Sequence, residues 1–330
     1  MDMSFLFHCG NAENVVYCQM KDVILMIDFQ RLDPADKPRF DEIFMNCGQR
    51  GCEYTFVNLF LWGRQKAAFV EDRLLVQSQF DRKCVYPFPM GPGDLKTALD
   101  AIIADARERG IPCYLTSLRP EECEVVESLY PGCFSFHCAR DNFDYVYDIN
   151  GLADLKGRKY QKKRNHLNNF RKANPEIAFI PMEEADQQEL EAMLEQWYTN
   201  HLEANPDMDY HLEQVALGRA MKFRKELGME GLVLLVNGRI AAFAMGSRMN
   251  ADTFDIHFEK ALDEAAYPAI NQGFADHLRE KYPELKWLDR EDDMGLEGLR
   301  KAKLSYNPDL MIEKYWARLW EDEDVRRVSI

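Results

Sequence analysis

Residues 231–260 read GLVLLVNGRIAAFAMGSRMNADTFDIHFEK, and this stretch decides the fold of the second half of the chain. It contains three runs rich in apolar, β-branched and aromatic residues, at 231–236, 239–249 and 253–260. Such runs, bounded by short polar turns, are typical of β-strands. Only Asn237-Gly238 separates the first two runs, and this dipeptide is a strong signal for a two-residue β-hairpin. The stretch therefore predicts three consecutive antiparallel strands.

Amphipathic helices are predicted on both sides of these strands. Apolar residues at helical spacing indicate helices over 186–202 and 211–227 before the strands and over 269–281 after them. A similar series comes earlier in the chain. It consists of two helices, three short strands and a longer helix, at 33–47, 55–62, 67–71, 74–79, 84–87 and 94–109. The same order of elements therefore occurs twice.

This order is the one found in GNAT acyltransferases. It predicts a mixed α+β fold of two tandem GNAT-like domains, each with a mostly antiparallel central sheet flanked by helices. The predicted limits are 1–25 for an N-terminal extension without fixed structure, 26–150 for the first domain, 151–175 for a basic linker helix and 176–330 for the second domain.

The composition is that of an ordinary soluble protein. Among the 330 residues, 46% are hydrophobic and 29% are charged, which excludes disordered, collagen-like and disulfide-scaffold classes. No uncharged apolar stretch approaches the roughly 18–20 residues of a membrane-spanning helix, and the first residues lack the features of a signal peptide. The nine cysteines include no C-x-x-C pair, so we expect free thiols in a reducing cytoplasm and no metal site.

The net charge of −15 is unevenly distributed. Residues 156–172 contain eight Lys or Arg and no acid, so the remainder of the chain carries −23. At 100° per residue, Tyr160, Leu167 and Phe170 fall on one side of a helix and Lys162 falls on the opposite side. Two interpretations stay open, since the basic face suits the phosphates of an RNA and also suits ion pairs with the acidic remainder.

The third strand of the opening stretch carries three titratable residues. Strict alternation places Asp255, His257 and Glu259 on one face of the sheet, at steps of about 7 Å. This arrangement suits acid–base chemistry or the binding of an amine. The alternative is a solvated sheet face without chemical function.

A second polar cluster, at 289–293, follows the last short strand of the second half. In mixed α/β folds, ligands commonly bind where a strand ends in polar residues before a helix. A carboxylate of this cluster could bind an ammonium group, and Arg290 could bind an anion. The alternative is that Asp292 or Asp293 caps the next helix. Beyond that helix, the hydroxyl of Tyr306 suits protonation of a leaving group, unless its ring only packs.

Several strong catalytic motifs are absent from the sequence. It contains no G-x-x-x-x-G-K-[ST], G-x-G-x-x-G, G-x-S-x-G or H-E-x-x-H. Nucleotide hydrolysis at a P-loop, dinucleotide redox chemistry, serine hydrolysis and zinc peptidase chemistry are therefore disfavoured.

Several segments together resemble one protein family. They are KYQKKRNH at 159–166, HFEKA at 257–261, REDDMG at 290–295, GLR at 298–300 and KLSY at 303–306. The combination is similar to a soluble bacterial family related to the C-terminal catalytic domain of phosphatidylglycerol lysyltransferase. The likeness runs from residue 28 to the end of the chain and is most specific over 290–306.

The resemblance implies a tandem GNAT fold whose second domain carries the active site. It also implies kinship with transferases that use aminoacyl-tRNA, including the Fem-type enzymes, and direct attack by an amine or hydroxyl acceptor without a covalent enzyme intermediate. The candidate catalytic residues are His257 or Glu259 as the base and Tyr306 as the acid. The candidate substrate-binding residues are Lys260, Asn271, Arg290, Glu291, Asp292 and Lys303, with Glu291 or Asp292 on the α-ammonium of the donor. The candidate tRNA-binding residues are Lys159, Lys162, Lys163, Arg164 and Asn165.

The expected donor is aminoacyl-tRNA. Coenzyme A enzymes of the GNAT type have a glycine-rich pyrophosphate loop after the third strand, whereas residues 260–273 read KALDEAAYPAINQG and contain a single glycine. An acyl-CoA N-acyltransferase and a non-catalytic binding module remain the alternatives. We expect no tightly bound cofactor, a cytoplasmic location, tRNA binding through helix 157–172, and a small-molecule, peptide or lipid-headgroup acceptor.

Overall fold

The computed structural model describes residues 27–80, 83–204 and 209–320, so the predicted extension 1–25 lies outside the described residues. The helices are α1 Lys37–Asn46, α2 Phe56–Trp62, α3 Leu95–Glu108, α4 Pro120–Leu129, α5 Ile149–Asp154, α6 Gln161–Ala173, α7 Gln187–Ala204, α8 His211–Phe223, α9 Tyr267–Lys281 and α10 Glu297–Leu304. The strands are β1 Gln30–Arg31, β2 Lys66–Val70, β3 Arg73–Phe80, β4 Lys83–Pro87, β5 Tyr114–Leu118, β6 Phe134–Cys138, β7 Asp144–Asp148, β8 Ile177–Pro181, β9 Glu230–Val236, β10 Arg239–Arg248, β11 Thr253–Ala261, β12 Trp287–Asp289, β13 Leu310–Ile312 and β14 Tyr315–Leu319. No helix within these ranges is long and apolar enough to cross a membrane.

One compact unit holds the described residues 27–29, 68–138 and 315–320. Its sheet has the strand order β2-β3-β4-β5-β14-β6, in which β4 and β5 are parallel. The pairs β3–β4, β5–β14 and β14–β6 are antiparallel. Helix α3 buries Leu99, Ile102 and Ile103, which lie at the helical spacing predicted from the sequence.

The second compact unit holds 30–67 and 139–314. Its sheet has the order β13-β7-β12-β11-β10-β9-β8, and the pair β11–β12 is parallel while the others are antiparallel. The predicted hairpin joins β9 to β10, and Asn237 and Gly238 have φ of 50° and 72°, the left-handed values of a type I′ turn. The three strands of the opening stretch are therefore confirmed.

Helices α5, α6 and α9 cover one face of this second sheet and form its core together with residues of the strands and loops. Phe274 and Leu278 of α9 are fully buried there, each worth about 2 kcal/mol of stability. Helix α6 buries Leu167 and Phe170 in the same core and exposes Lys162. The predicted amphipathic character of the basic helix is thus confirmed.

The predicted α+β class, with two mostly antiparallel sheets flanked by helices, is confirmed, but the division of the chain differs from the predicted limits. Strand β7 lies before residue 150, yet it pairs with β12 and β13 in the second sheet. Strand β14 lies within the predicted second domain, yet it inserts between β5 and β6 of the first sheet. The limits at 150 and 175 therefore do not coincide with the compact units, because each half of the chain lends one strand to the other half's sheet.

A β-bulge interrupts the pairing of β10 with β11. Met245 pairs with Phe258 and Gly246 pairs with Ile256, so His257 is an extra residue without a partner in the register. A bulge of this kind reverses the alternation of side chains along its strand. Strict alternation was therefore wrong for Glu259. Glu259 pairs with Ala244, whose side chain lies in the core on the face that α9 covers. Asp255 pairs with Ser247, which lies on the opposite face of the sheet.

The bulge requires a glycine at position 246. A Cβ atom there would lie 2.0 Å from the carbonyl oxygen of Asp255 and 2.6 Å from the ring of Phe254. We expect Gly246→Ala to lower the free energy of unfolding by about 1–3 kcal/mol, since both neighbours lie in the packed sheet. Urea unfolding followed by circular dichroism measures this change.

Gly218→Ala is the matched control for this substitution. Gly218 lies inside α8 and has no atom within 4 Å of the position of an added Cβ. We expect this variant to gain about 0.5–1 kcal/mol, because alanine favours a helix interior over glycine. Equal stability of the two variants would contradict the role of Gly246 in the bulge.

Candidate active site

Titratable side chains gather in two clusters, which lie on opposite faces of β11 in the second unit. The acidic cluster is defined by Asp255, His257, Asp289 and Glu291. The arginine cluster is defined by Lys163, Glu259, Asn271, Arg290 and Tyr306. The bulge at His257 separates them, and the loop after β12 joins them because Arg290 and Glu291 are consecutive residues.

His257 is the centre of the acidic cluster. Its Nδ1 lies 3.0 Å from Glu291 Oε1 and 3.5 Å from Asp255 Oδ2, and its Nε2 lies 2.9 Å from Ser247 Oγ. Asn58 Nδ2 also donates to Glu291 Oε1, at 3.2 Å. Both ring nitrogens of His257 are thus engaged, and its side chain is only 3% exposed.

Two aspartates of the acidic cluster are completely buried. Asp255 and Asp289 are direct neighbours in the register of β11 and β12, so both carboxylates lie on the same face of the sheet. Burial raises the pKa of each well above its usual range, and negative neighbours raise it further: Glu291 for Asp255, and Asp144 for Asp289. This face of the sheet thus concentrates negative charge in a poorly solvated place.

A buried lysine neutralises the far end of the same row of acids. Lys314 Nζ lies 2.8 Å from Asp144 and 2.7 Å from Glu53, and it contacts Cys52 Sγ at 3.5 Å. Burial raises the pKa of Asp144 to about 7, against the opposing effect of Lys314. Cys52, Glu53 and Asp144 have ligand atoms close enough for a metal ion, but the ammonium of Lys314 already provides their counter-charge.

The arginine cluster is built around a buried guanidinium. Arg290 forms an ion pair with Glu259, and its Cζ lies 5.0 Å from the ring centre of Tyr306 and 5.7 Å from that of Tyr147. Asn271 Nδ2 donates to the Tyr306 hydroxyl at 3.1 Å. Within the described part of the chain, Nε and Nη1 of Arg290 are buried and have no hydrogen-bond acceptor. These two N–H groups of the Arg290 cation are therefore available to hydrogen-bond an anionic group.

Lys163 of the basic helix belongs to this cluster instead of lying in solvent. Its Nζ lies 3.7 Å from the ring centre of Tyr306. Burial, together with the nearby positive charge of Arg290, lowers the pKa of Lys163 to about 8. The ammonium of Lys163 and the guanidinium of Arg290 both lie against the ring of Tyr306, which concentrates positive charge around this residue.

Lys303 and Asp292, predicted to bind substrate, hold the loop between the clusters. The ammonium of Lys303 donates to the backbone carbonyls of Arg290, Glu291 and Asp292, which fixes the positions of all three residues. Asp292 accepts a hydrogen bond from the backbone N–H of Met294 at 3.0 Å. The backbone of Glu291 has a φ of 56°, a value that costs energy for a residue with a side chain and that tertiary contacts must impose.

Lys260, also predicted to bind substrate, lies on the other face of β11 from Glu259. Its Nζ is 2.6 Å from Glu213 Oε1 and 3.8 Å from the ring centre of Trp197. The structure therefore places Lys260 in a buried contact with α7 and α8, outside both clusters.

The predicted tRNA-binding residues have different environments. Lys159 pairs with Asp309 at 2.8 Å, and the guanidinium of Arg164 donates to the carbonyls of Leu155 and Gly157. Together with Lys163, these side chains are held by the protein itself. Lys162 and Asn165 are exposed on α6.

Sequence reasoning missed the groups that reach the acidic row from distant parts of the chain. Asn58 and Cys52 lie in the N-terminal part of the second unit, and Lys314 is its last residue. Their sequence separation from Glu291 or Asp144 is too large for any local pattern to indicate the contacts. The apolar surroundings of Lys314, in YNPDLMIEKYWARL at 306–319, were the one available signal for a buried cation.

Comparison with known proteins places this chain among relatives of similar architecture. The family model described as "Phosphatidylglycerol lysyltransferase, C-terminal" matches residues 44–318. A conserved protein of unknown function from Bacteroides thetaiotaomicron is 34% identical, with a TM-score of 0.82 over 89% of this chain and 100% of that one. L-PGS from Bacillus licheniformis is 15% identical, with a TM-score of 0.62 over 87% of this chain and 92% of that one, which establishes likeness of fold.

A curated relative from Mycoplasmoides gallisepticum, the uncharacterized protein MYCGA3080, is 30% identical over 208 residues. The match covers 62% of this chain and 65% of that protein. The chain thus spans slightly less than two thirds of the length of this relative.

The environment of Lys163 predicts an unusual titration. Its amine should be half protonated near pH 8 in the folded protein, against about 10.4 in an unfolded chain. Because the folded pKa is the lower one, charged Lys163 destabilises the fold below pH 8. That cost disappears as the pH rises from 8 towards 10.4. Carbon-13 NMR of labelled lysine side chains measures the midpoint, and Lys163→Arg identifies the signal. A midpoint above 10 for that signal would contradict the burial of the ammonium.

Proposed function

The chain belongs to the family of the phosphatidylglycerol lysyltransferase C-terminal domain, and on this basis we propose that it transfers an aminoacyl group from aminoacyl-tRNA to an amine or hydroxyl acceptor. The reaction is a direct attack of the acceptor on the aminoacyl ester, without a covalent enzyme intermediate. The acceptor class comprises small molecules, peptides and lipid headgroups. A cytoplasmic location, where charged tRNA occurs, is part of the proposal.

The buried Arg290 is the observation that carries this proposal. Attack on an ester carbonyl creates an oxyanion, and preorganised N–H donors in a poorly solvated site stabilise such a charge strongly. Arg290 offers two donors, Nε and Nη1, that have no hydrogen-bond acceptor among the described residues. The aromatic rings of Tyr147 and Tyr306 and the ion pair with Glu259 hold the guanidinium in place.

Glu259 and Tyr306 supply the proton transfers in this proposal. The acceptor passes its proton to the Glu259 carboxylate as its nitrogen or oxygen bonds to the carbonyl carbon. The bond from that carbon to the ribose oxygen then breaks, and the oxygen takes the proton of the Tyr306 hydroxyl. Solvent returns the proton from Glu259 to Tyr306, so no proton is gained or lost. Glu259 is preferred to His257 as the base, because Glu259 lies with Arg290 in the arginine cluster, whereas both nitrogens of His257 are engaged in the acidic cluster.

Substrate positioning is assigned to Asp292 and to residues of α6. Asp292 is preferred to Glu291 for the α-ammonium of the donor, since Glu291 is bound to His257 and Asn58. The exposed Lys162 and Asn165 of α6 would contact phosphates of the acceptor stem, and Lys163 extends the same helix into the arginine cluster.

An acyl-CoA donor is less well supported by the structure around α9. Helix α9 begins at Tyr267-Pro268, and proline has no N–H to offer a pyrophosphate. The glycine of this segment, Gly273, lies against Phe179, since a Cβ there would be 2.4 Å from the phenyl ring. The backbone cradle typical of coenzyme A sites is therefore not available at this helix.

Binding of tRNA tests the donor. We expect wild-type protein to bind total aminoacylated bacterial tRNA with an affinity that falls steeply with salt, as phosphate contacts do. Lys162→Glu should weaken binding several-fold and reduce the slope of log K against log salt by about 1. Lys225→Glu makes the same charge change at an exposed position of the second unit outside α6 and should leave both values unchanged. Filter binding across a salt series measures the difference.

Absence of tRNA binding by the wild-type protein at low salt would remove aminoacyl-tRNA as the donor. Equal losses in the two lysine variants would instead show that α6 has no special role in the contact. In the first case, direct titration with coenzyme A thioesters would decide whether the same fold uses an acyl-CoA donor.

Tyr306→Phe tests the acid. The variant keeps the ring against Lys163 and Arg290 but loses the proton donor, so we expect single-turnover aminoacyl transfer to slow by about 100-fold or more. Loss of the bond from Asn271 should cost about 1–3 kcal/mol of stability. Tyr282→Phe is the matched control, since Tyr282 also loses a hydrogen-bonded hydroxyl, to Glu230, away from the cluster. Similar transfer rates in the two variants would contradict the role of Tyr306.

A further inference from the structure

The acidic cluster contains three ligand atoms in the arrangement of a metal site. His257 Nδ1, one oxygen of Asp255 and one oxygen of Glu291 all lie within 4.8 Å of one another. Nδ1 is 3.0 Å from Glu291 Oε1 and 3.5 Å from Asp255 Oδ2. Ligands at about 2.1 Å from an ion in tetrahedral or octahedral geometry are separated from one another by roughly 3.0–3.5 Å. The side chains need little movement to close around an ion.

Asp255 provides an independent indication of a ligand. Its side chain is completely buried, and within the described ranges neither carboxylate oxygen has a hydrogen-bond partner. Oδ2 of the adjacent Asp289 is buried without a partner as well. A buried carboxylate whose oxygens accept no hydrogen bond is costly, and a bound cation removes that cost.

Comparison with the Lys314 site shows what the acidic cluster lacks. There, the buried carboxylate of Asp144 and the partly exposed one of Glu53 have an ammonium within 2.8 Å. In the part of the chain that the structure describes, no Lys or Arg forms an ion pair with Asp255 or with Glu291. The two ends of one row of acids thus differ in their source of positive charge: Lys314 at one end, and His257 alone at the other.

The groups around the cluster suit metal ligation by His257. A metal-bound histidine normally donates its second ring N–H to a nearby acceptor, and Ser247 Oγ lies 2.9 Å from Nε2. Asn58 fixes Glu291 Oε1, and the backbone N–H of Glu291 donates to Asp289 Oδ1 at 2.8 Å. One imidazole with carboxylates favours a transition-metal ion such as Mn²⁺ or Zn²⁺ over Ca²⁺.

We propose that Asp255, His257 and Glu291 bind one divalent transition-metal ion through two carboxylate oxygens and the imidazole Nδ1. With the ion on Nδ1, the N–H of Nε2 donates to Ser247 Oγ, and the ion links β11 to the loop after β12. The site lies on the opposite face of β11 from Glu259, so it is separate from the groups that the proposed transfer reaction uses. Its role is to fix Glu291, and through it Arg290, the preceding residue in the chain.

Titration with Mn²⁺, followed by electron paramagnetic resonance, tests this site. The full chain is first freed of metal with a chelator. We expect one equivalent of Mn²⁺ to be removed from the free-ion signal, and the bound ion to show the nitrogen-14 modulation of a coordinated imidazole in pulsed measurements. Nitrogen coordination distinguishes binding at His257 from adventitious binding to surface carboxylates.

Three variants locate the ion. Asp255→Asn and Glu291→Gln should each weaken Mn²⁺ binding by about 100-fold or more, since each removes a charged ligand. Asp309→Asn, which removes an exposed carboxylate that pairs with Lys159, should bind as the wild type does. Asp255→Asn removes a buried charge, so its fold should survive, and circular dichroism verifies this.

Two results would overturn the proposal. One is the absence of stoichiometric Mn²⁺ binding by the folded wild-type chain. The other is wild-type affinity in both Asp255→Asn and Glu291→Gln. Neither result bears on aminoacyl transfer, because the titration contains no tRNA and no acceptor.

Discussion

The extra residue at the β-bulge is the constraint on which the candidate site depends. If β11 alternated strictly, Glu259 would lie beside His257 and Asp255, and four acids would share one face. Inserting His257 into the register turns Glu259 towards Arg290 and the aromatic rings on the other side. One irregular residue thus divides the acids of this region between the two faces of the sheet. One face carries the acidic cluster, and the other pairs Glu259 with the cation of Arg290.

The buried charges then determine where the cations must be. Lys314 reaches Asp144 and Glu53 from the last strand connection, and Arg290 reaches Glu259 from the loop after β12. Removing one partner from such a buried pair typically costs about 3–5 kcal/mol, so these contacts tie distant segments of the second unit together. The same contacts also position Arg290 and Glu259 for the proposed reaction. Substitutions that break them would therefore lower both stability and activity.

Local patterns in the sequence were sufficient for most of the helices and strands. The Asn237-Gly238 turn and the periodic apolar faces predict strands and helices because these signals need only near neighbours. The bulge could not be predicted, since it results from pairing with β10 around Gly246. Lys163 was assigned to phosphate binding on charge alone, and only tertiary packing shows that it lies against Tyr306.

The position of β14 has a consequence for biosynthesis. This strand lies between β5 and β6, so the first sheet is missing an interior strand until the chain has been made through Leu319. Until then, the edges of β5 and β6 present unpaired backbone groups to any other strand nearby. The first sheet therefore closes only after translation of the second half, and a nascent chain depends on chaperones or on rapid completion to avoid misassembly at those two edges.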